Sequence, residues 1–167
     1  MILIAYDGSQ DSKSAIEYAG TLMPGQPAIV LTVWETYVQM LARSAGPFGL
    51  VAGVDDVADI DDACRASAEA SASEGAALAR SCGLNASSHA HPRESSVAET
   101  ILDEANRANA LAIVLGSRGL GGLGSVLLGS VSHAVLQHAD RAVVIVPSAK
   151  VAQHRNEKRR AHETTLV

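Results

Sequence analysis

Two glycine turns, Gly116-Ser117-Arg118-Gly119 and Gly129-Ser130, are separated by nine residues. The apolar run Ala110 to Leu115 precedes the first turn and reads as a buried strand. An amphipathic segment, Val131 to His138, follows the second, with Ser130 as its natural N-cap. The order is therefore strand, glycine loop, helix start. The first amides of a helix lack partners and carry partial positive charge, which suits phosphate oxygens. Glycine lets the backbone approach a ligand closely. The spacing predicts an anion pocket built from Gly116, Gly119, Gly129 and the amides that follow Ser130.

Two other phosphate motifs compete for this stretch. A Walker loop needs Gly-Lys followed by Ser or Thr, and no lysine lies between Lys13 and Lys150. The dinucleotide fingerprint is present literally, as Gly119-Leu-Gly121-Gly122-Leu-Gly124. Its context does not fit. That motif opens a helix directly after a strand and needs an acid at the end of the next strand. Here the loop runs on to Gly129, and the next apolar run ends in Pro147-Ser148. A ligand-free linker is the remaining alternative.

The elements that must position this loop are legible as alternating segments. Met1 to Tyr6 reads as a buried strand broken by Asp7-Gly8-Ser9. A helix follows from Gln10 to Leu22 and stops at Pro24-Gly25. Ala28 to Trp34 is a second buried strand, rich in β-branched residues. The two strands flank one helix, a right-handed βαβ unit. Glu35 to Val57 is an excursion with a short helical turn at Tyr37 to Arg43. A long Ala-rich helix runs from Ile60 to Cys82. Leu84 to His91 is a third strand. Ser96-Val-Ala-Glu99 is a capping box that starts a helix through Ala108. The fourth strand, the glycine loop and the last helix come next, and Ala142 to Val146 is a fifth strand. The sum is an α/β fold, an open five-stranded parallel sheet with helices on both faces. In the order 3-2-1-4-5, the first and fourth strands are neighbours where the order reverses. Ligands bind beyond the carboxyl ends of strands at such a reversal. Asp7 and Gly116 would then face one crevice, with Asp7 as a base, ribose or metal contact, or as a turn acid. Val33 and Trp34 would form an apolar wall for a planar base, or pack in the core.

Composition narrows the class. The chain has 167 residues, 47% hydrophobic and 3% aromatic, so Ala, Val, Leu and Ile must build one closely packed core. The net charge is −5, and the last twenty residues contribute +3, which leaves an acidic body. That balance argues against a nucleic-acid surface. Cys64 and Cys82 form no CxxC pair, as expected of a reducing compartment. No signal peptide or membrane-spanning run is read, so a soluble, cytoplasmic protein is expected. Residues 1–148 form the expected domain and 149–167 a polar basic tail, expected to be disordered.

Other chemistry-bearing residues have weaker patterns. Asp55, Asp56, Asp59, Asp61 and Asp62 precede the long helix, as favourable N-terminal charge or as a carboxylate cage without calcium-loop spacing. His89 and His91 alternate on one strand face, but no third metal ligand is evident. No catalytic triad emerges from spacing, and no metal site is assigned to the protein's own side chains.

The opening Ile-Ala-Tyr-Asp-Gly-Ser, the spaced pair Gly116-x-x-Gly119 and Gly129-Ser130, and the closing Ala142-Val-Val-Ile-Val-Pro147 together resemble the universal stress protein family over residues 1–148. The resemblance implies a Rossmann-like sheet of the adenine nucleotide alpha hydrolase-like type. It implies a homodimer through the last strand, Ala142 to Pro147, and ATP binding with Mg2+ or Mn2+ held by the phosphates. Under that likeness Ala5, Tyr6 and Asp7 line the adenosine end, with Val33 beside the base. Leu115 and Gly116 approach the ribose. Gly119, Gly129, Ser130, Val131 and Ser132 hold the phosphates, and Arg118 adds charge there. The implied role is a dimeric stress-response sensor or regulator with slow or no hydrolysis. The alternatives are an ATP hydrolase or phosphotransferase, with Asp7, Arg118 and His133 as candidates, and a nucleotide-free dimeric interaction module.

Overall fold

A computed structural model describes residues 1–44, 57–120, 128–149, 152, 153 and 156. The elements are β1 (Ile2–Ala5), α1 (Gln10–Leu22), β2 (Pro27–Trp34), α2 (Tyr37–Ser44), α3 (Val57–Ser81), β3 (Asn85–Pro92), α4 (Val97–Arg107), β4 (Ala112–Gly116), α5 (Ser130–His138) and β5 (Ala142–Val146). The strands form one sheet in the order β3-β2-β1-β4-β5. All four strand pairs are parallel, and Ile2 sits in register with Ala28 on one side and Ala112 on the other. The reversal of order falls between β1 and β4, as the sequence predicts.

Strand alternation divides the core into two layers. Ile2, Ile4, Tyr6, Val30 and Val114 meet Ala15, Ile16, Ala19, Ala76 and Ala79 of α1 and α3. Leu3, Leu31, Ile113 and Leu115 meet Ala98, Ile101, Ala105 and Val135 of α4 and α5 on the other face, with Ala5, Val33 and Val131 packed at the margin. Small residues let α1 and α3 lie close. A Cβ at Gly75 would come within 2.8 Å of the Tyr6 ring, so α3 could not keep this distance with a larger residue there.

Several expectations change in detail. Val33 and Trp34 are successive strand residues and so point to opposite faces; they do not share one wall. Val33 belongs to the α4–α5 layer. The long helix begins at Val57, earlier than its apolar period suggested. Ser130 is the first helical residue of α5, not its cap. The cap is Gly129, in an extended conformation with no side-chain cap bond. A serine just inside a helix looks like a cap in sequence, because both positions carry the same residue type. In the region read as a tail, Ala149, Ala152, Gln153 and Asn156 are helical, and the Ala152 amide donates to the Ser148 carbonyl at 2.9 Å. The rest of that region lies outside the described residues, as do 45–56 and 121–127.

Candidate functional site

The glycine loop closes on itself at its base. The Gly129 amide donates to the Ser117 carbonyl at 2.8 Å. A Cβ at Gly129 would lie 3.5 Å from the Arg118 Cα and 3.9 Å from the Gly119 amide nitrogen. The two turns that sequence spacing coupled are therefore neighbours in space. The first bond of α5 runs from the His133 amide to the Gly129 carbonyl at 2.9 Å. The amides of Ser130, Val131 and Ser132 precede it, in the turn where a helix has no internal acceptors. Ser130 is exposed and Val131 half-buried.

Asp7 reaches this loop from the end of β1. Its Oδ1 accepts the Ser9 amide at 3.0 Å and its Oδ2 accepts the Leu120 amide at 3.2 Å. Gly8, at φ +78°, makes the turn that places the carboxylate there. A side chain at Gly119 would collide with Asp7 Oδ2. Asp7 thus lies at the glycine turn, the end assigned to phosphates, rather than among the apolar residues. Those residues, Ala5, Val33 and Leu115, share the α4–α5 face, with Leu115 fully inside and the other two at the margin.

Three predicted site residues are committed elsewhere. Tyr6 turns to the opposite layer, where its hydroxyl donates to Glu74 Oε1 at 3.0 Å. Its carbonyl accepts from Thr32 Oγ1 at 3.0 Å. Burial, then the Glu74 contact, push the Tyr6 phenol up to about 12. The Ser132 hydroxyl is buried and donates to the Gly116 carbonyl at 2.8 Å, tying α5 to the end of β4. Gly116 is pressed against α1, where a Cβ would come within 2.7–2.8 Å of Asp11 and of the Ser12 amide nitrogen.

Sequence reading missed Asp11. Its buried carboxylate accepts Ser117 Oγ at 2.8 Å and the Arg118 amide at 3.1 Å. It thereby fixes the first glycine turn from the neighbouring helix. The available signal was an acid in the first turn of α1, a position acids favour for reasons of helix charge alone.

The other candidates are spread over the surface. His89 and His91 both approach Glu104, at 3.1 and 3.6 Å, and Glu104 also pairs with Arg107. Asp61 accepts the Tyr37 amide at 2.6 Å, capping α2 from α3, and Asp62 pairs with Arg65. Asp55 and Asp56 lie outside the described residues. Among the described residues, no group of three His, Cys, Asp or Glu side chains is arranged to hold a metal, and no helix is long and apolar enough to cross a membrane.

Comparison with known proteins agrees with this architecture. A sequence model of the universal stress protein family matches residues 1–147. A curated universal stress protein of Mycolicibacterium smegmatis is 30% identical over 153 residues, covering 92% of this chain and 50% of the relative. The chain thus spans about half the length of the curated relative it matches. Universal stress protein UspA from Lactobacillus plantarum superposes with a TM-score of 0.66 at 20% identity, over 87% of this chain and 95% of that one. The universal stress protein from Archaeoglobus fulgidus in complex with dAMP superposes with a TM-score of 0.59 at 20% identity, over 87% and 95%. At such identity these two structures share the fold with this chain.

Proposed function

This chain belongs to the universal stress protein family, and from that premise we propose that it binds ATP in the crevice between β1 and β4. The observation that carries the reading is the contact between the two glycine turns, which brings the Gly119 amide beside the N-cap of α5. The open first turn of α5 offers the amides of Ser130, Val131 and Ser132 to phosphate oxygens. Ala5 and Val33 provide an apolar margin on the same face for the adenosine end, with Leu115 beneath it. The dAMP complex of the Archaeoglobus fulgidus relative favours an adenine nucleotide over a bare anion. In this reading Ser132 contributes its amide rather than its hydroxyl, and Tyr6 contributes its backbone position rather than its ring. Arg118 borders the phosphate end, and a divalent cation accompanies the triphosphate.

The protein acts as a nucleotide-dependent regulator with slow or no hydrolysis. Both oxygens of Asp7, the exposed acid beside the glycine turn, already accept backbone amides. It is therefore poorly placed to activate a water. We further propose that two copies pair through β5. This strand forms one edge of the sheet, and Val143, Val144 and Ile145 along it are half-buried rather than covered. An apolar edge strand left without a neighbour invites pairing.

Calorimetric titration of ATP and of adenosine, both with Mg2+, tests the reading. One site per chain is expected, with ATP bound more tightly than adenosine because the phosphates meet the amides. Equal affinities would contradict the phosphate cradle. Absence of heat from both ligands would contradict nucleotide binding, and steady phosphate release at many turnovers per minute would contradict the regulator.

A further inference from the structure

At the crevice the second strand overshoots the first. Ala5, the last residue of β1, is in register with Leu31, whereas β2 runs on to Trp34 beside Pro92 of β3. The chain from Val33 to Glu35 therefore rises past the end of β1, on the side away from β4. Alternation sends Val33 toward α4, Trp34 to the opposite layer and Glu35 back to the Val33 side, roughly 6.6 Å further along the strand direction. The ion pairs agree with that placement. His91 meets Glu104 of α4. Arg93 lies two residues on, and its Nη1 donates to Glu35 Oε1 at 2.8 Å. Arg43 of α2 donates to the same oxygen at 3.2 Å. Gln39 ties the start of α2 to this corner: its side-chain amide donates to the Arg93 carbonyl at 2.8 Å and accepts the Thr36 amide at 3.1 Å.

Glu35 is thus held by one oxygen and open at the other. Its side chain is only 15% exposed, and both guanidinium groups bind Oε1. Among the described residues nothing donates to Oε2, yet that atom is not one of the buried orphans and still reaches solvent. An ionised carboxylate oxygen only accepts hydrogen bonds, and its bonds are stronger than those of neutral acceptors. A purine lying against Val33 brings one edge toward this oxygen. A 6-aminopurine offers it the N–H of an exocyclic amine, whereas a 6-oxopurine turns a carbonyl toward it, acceptor against acceptor. We propose that Glu35 is the specificity-determining residue at the base end: its Oε2 accepts the exocyclic amine, so that the site takes 6-aminopurine nucleotides and rejects 6-oxopurine ones. The proposal rests on the nucleotide reading above and adds to it the side chain that selects the base.

The test is calorimetric titration of three triphosphates into the wild type and Glu35→Gln: ATP, purine riboside triphosphate with only hydrogen at position 6, and inosine triphosphate with a carbonyl there. The wild-type series probes the amine without any substitution. In Glu35→Gln the two arginine donors hold the amide oxygen, so the amide nitrogen faces the ligand and a donor replaces the acceptor. A thermal melt checks that the variant folds. The wild type should bind ATP at least about tenfold more tightly than either analogue, as expected for a hydrogen bond to a charged group. In Glu35→Gln the preference for ATP over the unsubstituted purine should fall below about threefold, and inosine triphosphate should bind at least as well as ATP. A merely structural role for Glu35 would weaken all three ligands alike and leave their order unchanged, which would overturn the proposal. Full retention of the ATP preference in Glu35→Gln would also overturn it, since another group would then read the amine. Equal affinities of the wild type for all three would overturn it and leave the nucleotide reading standing. Wild type that binds none of them would overturn both.

Discussion

Two helices start at the carboxyl ends of the neighbouring central strands, and they start differently. After β1, α1 is closed by its own side chains. Ser9 Oγ accepts the Ser12 amide at 3.2 Å, and the Ser12 hydroxyl returns a bond to the Ser9 carbonyl at 2.9 Å. After β4, α5 begins at Gly129, which has no side chain of its own to cap the first turn. The Ser96 box at α4, where Ser96 Oγ accepts the Glu99 amide at 3.1 Å, is closed like α1. A side-chain cap stabilises a helix by about 1 kcal/mol over alanine but only by a few tenths over glycine, so Gly129 leaves the α5 end open at little cost in stability. The open end is also the one flanked by glycine turns. In the proposed reading, the open end receives acceptors from outside the chain.

Closing the open end should have the largest effect on binding. Gly129→Asp places a carboxylate over the amides of Val131 and Ser132, and its Cβ meets ordinary contact distances, the nearest 3.5 Å. ATP affinity measured by calorimetry should fall about tenfold or more, a change of roughly 1.4 kcal/mol or above, while the thermal midpoint stays level or rises. Unchanged affinity would erase the contrast between the two helix ends.

Breaking the tie between the ends comes next. Asp11→Ala removes the acceptor of the buried Ser117 hydroxyl and of the part-buried Arg118 amide, and a buried orphan such as the hydroxyl costs about 1–3 kcal/mol. Urea denaturation should register a loss in that range, together with weaker ATP binding as the first turn loosens. A smaller effect is expected at a closed cap remote from the crevice. Ser96→Ala should lower stability by about 1 kcal/mol and leave ATP affinity within about twofold, roughly 0.4 kcal/mol. A large loss of binding there would mean that caps act on affinity through general stability.

The smallest effect distinguishes the two sheet faces by pH. Tyr6 titrates near 10 in an unfolded chain, and burial with the Glu74 contact raises it to about 12 in the fold. The neutral phenol is favoured by folding, so its contribution is complete below the unfolded value. It is lost as pH rises from about 10 to about 12. Tyr6→Phe should therefore lose less stability than the wild type across that interval in parallel urea titrations. Identical slopes would show that the Tyr6–Glu74 contact does not couple to folding.

Much of this was legible in the sequence because it depends on periodicity and punctuation. The bounds of α1 and β5 coincide with their apolar patterns, and the Ser96 box marks α4 correctly. The neighbouring of β1 and β4 is a consequence of the order 3-2-1-4-5, which alternating elements allow without dictating, and the carboxyl-end rule then locates the crevice. The site was less legible because it depends on where side chains point. Alternation along β1 places Ala5 and Tyr6 on opposite faces, a consequence that grouping both at one end of a ligand overlooks. Asp11 escaped because its partners Ser117 and Arg118 lie more than a hundred residues away. No local pattern encodes such a contact. Asp7 was visible as a crevice residue, yet its position at the glycine turn depends on the Gly8 conformation and the return of the β4–α5 loop.

The central claim is that amides from both glycine turns converge on one phosphate group. A nitrogen-15 NMR titration with ATP and Mg2+ tests it most directly. The expected result is that the amide signals of Gly119, Ser130, Val131 and Ser132 move together along one binding curve, while those of Ser96 to Glu99 at the closed α4 cap stay in place. Saturable ATP binding that leaves those four signals unmoved would contradict the claim.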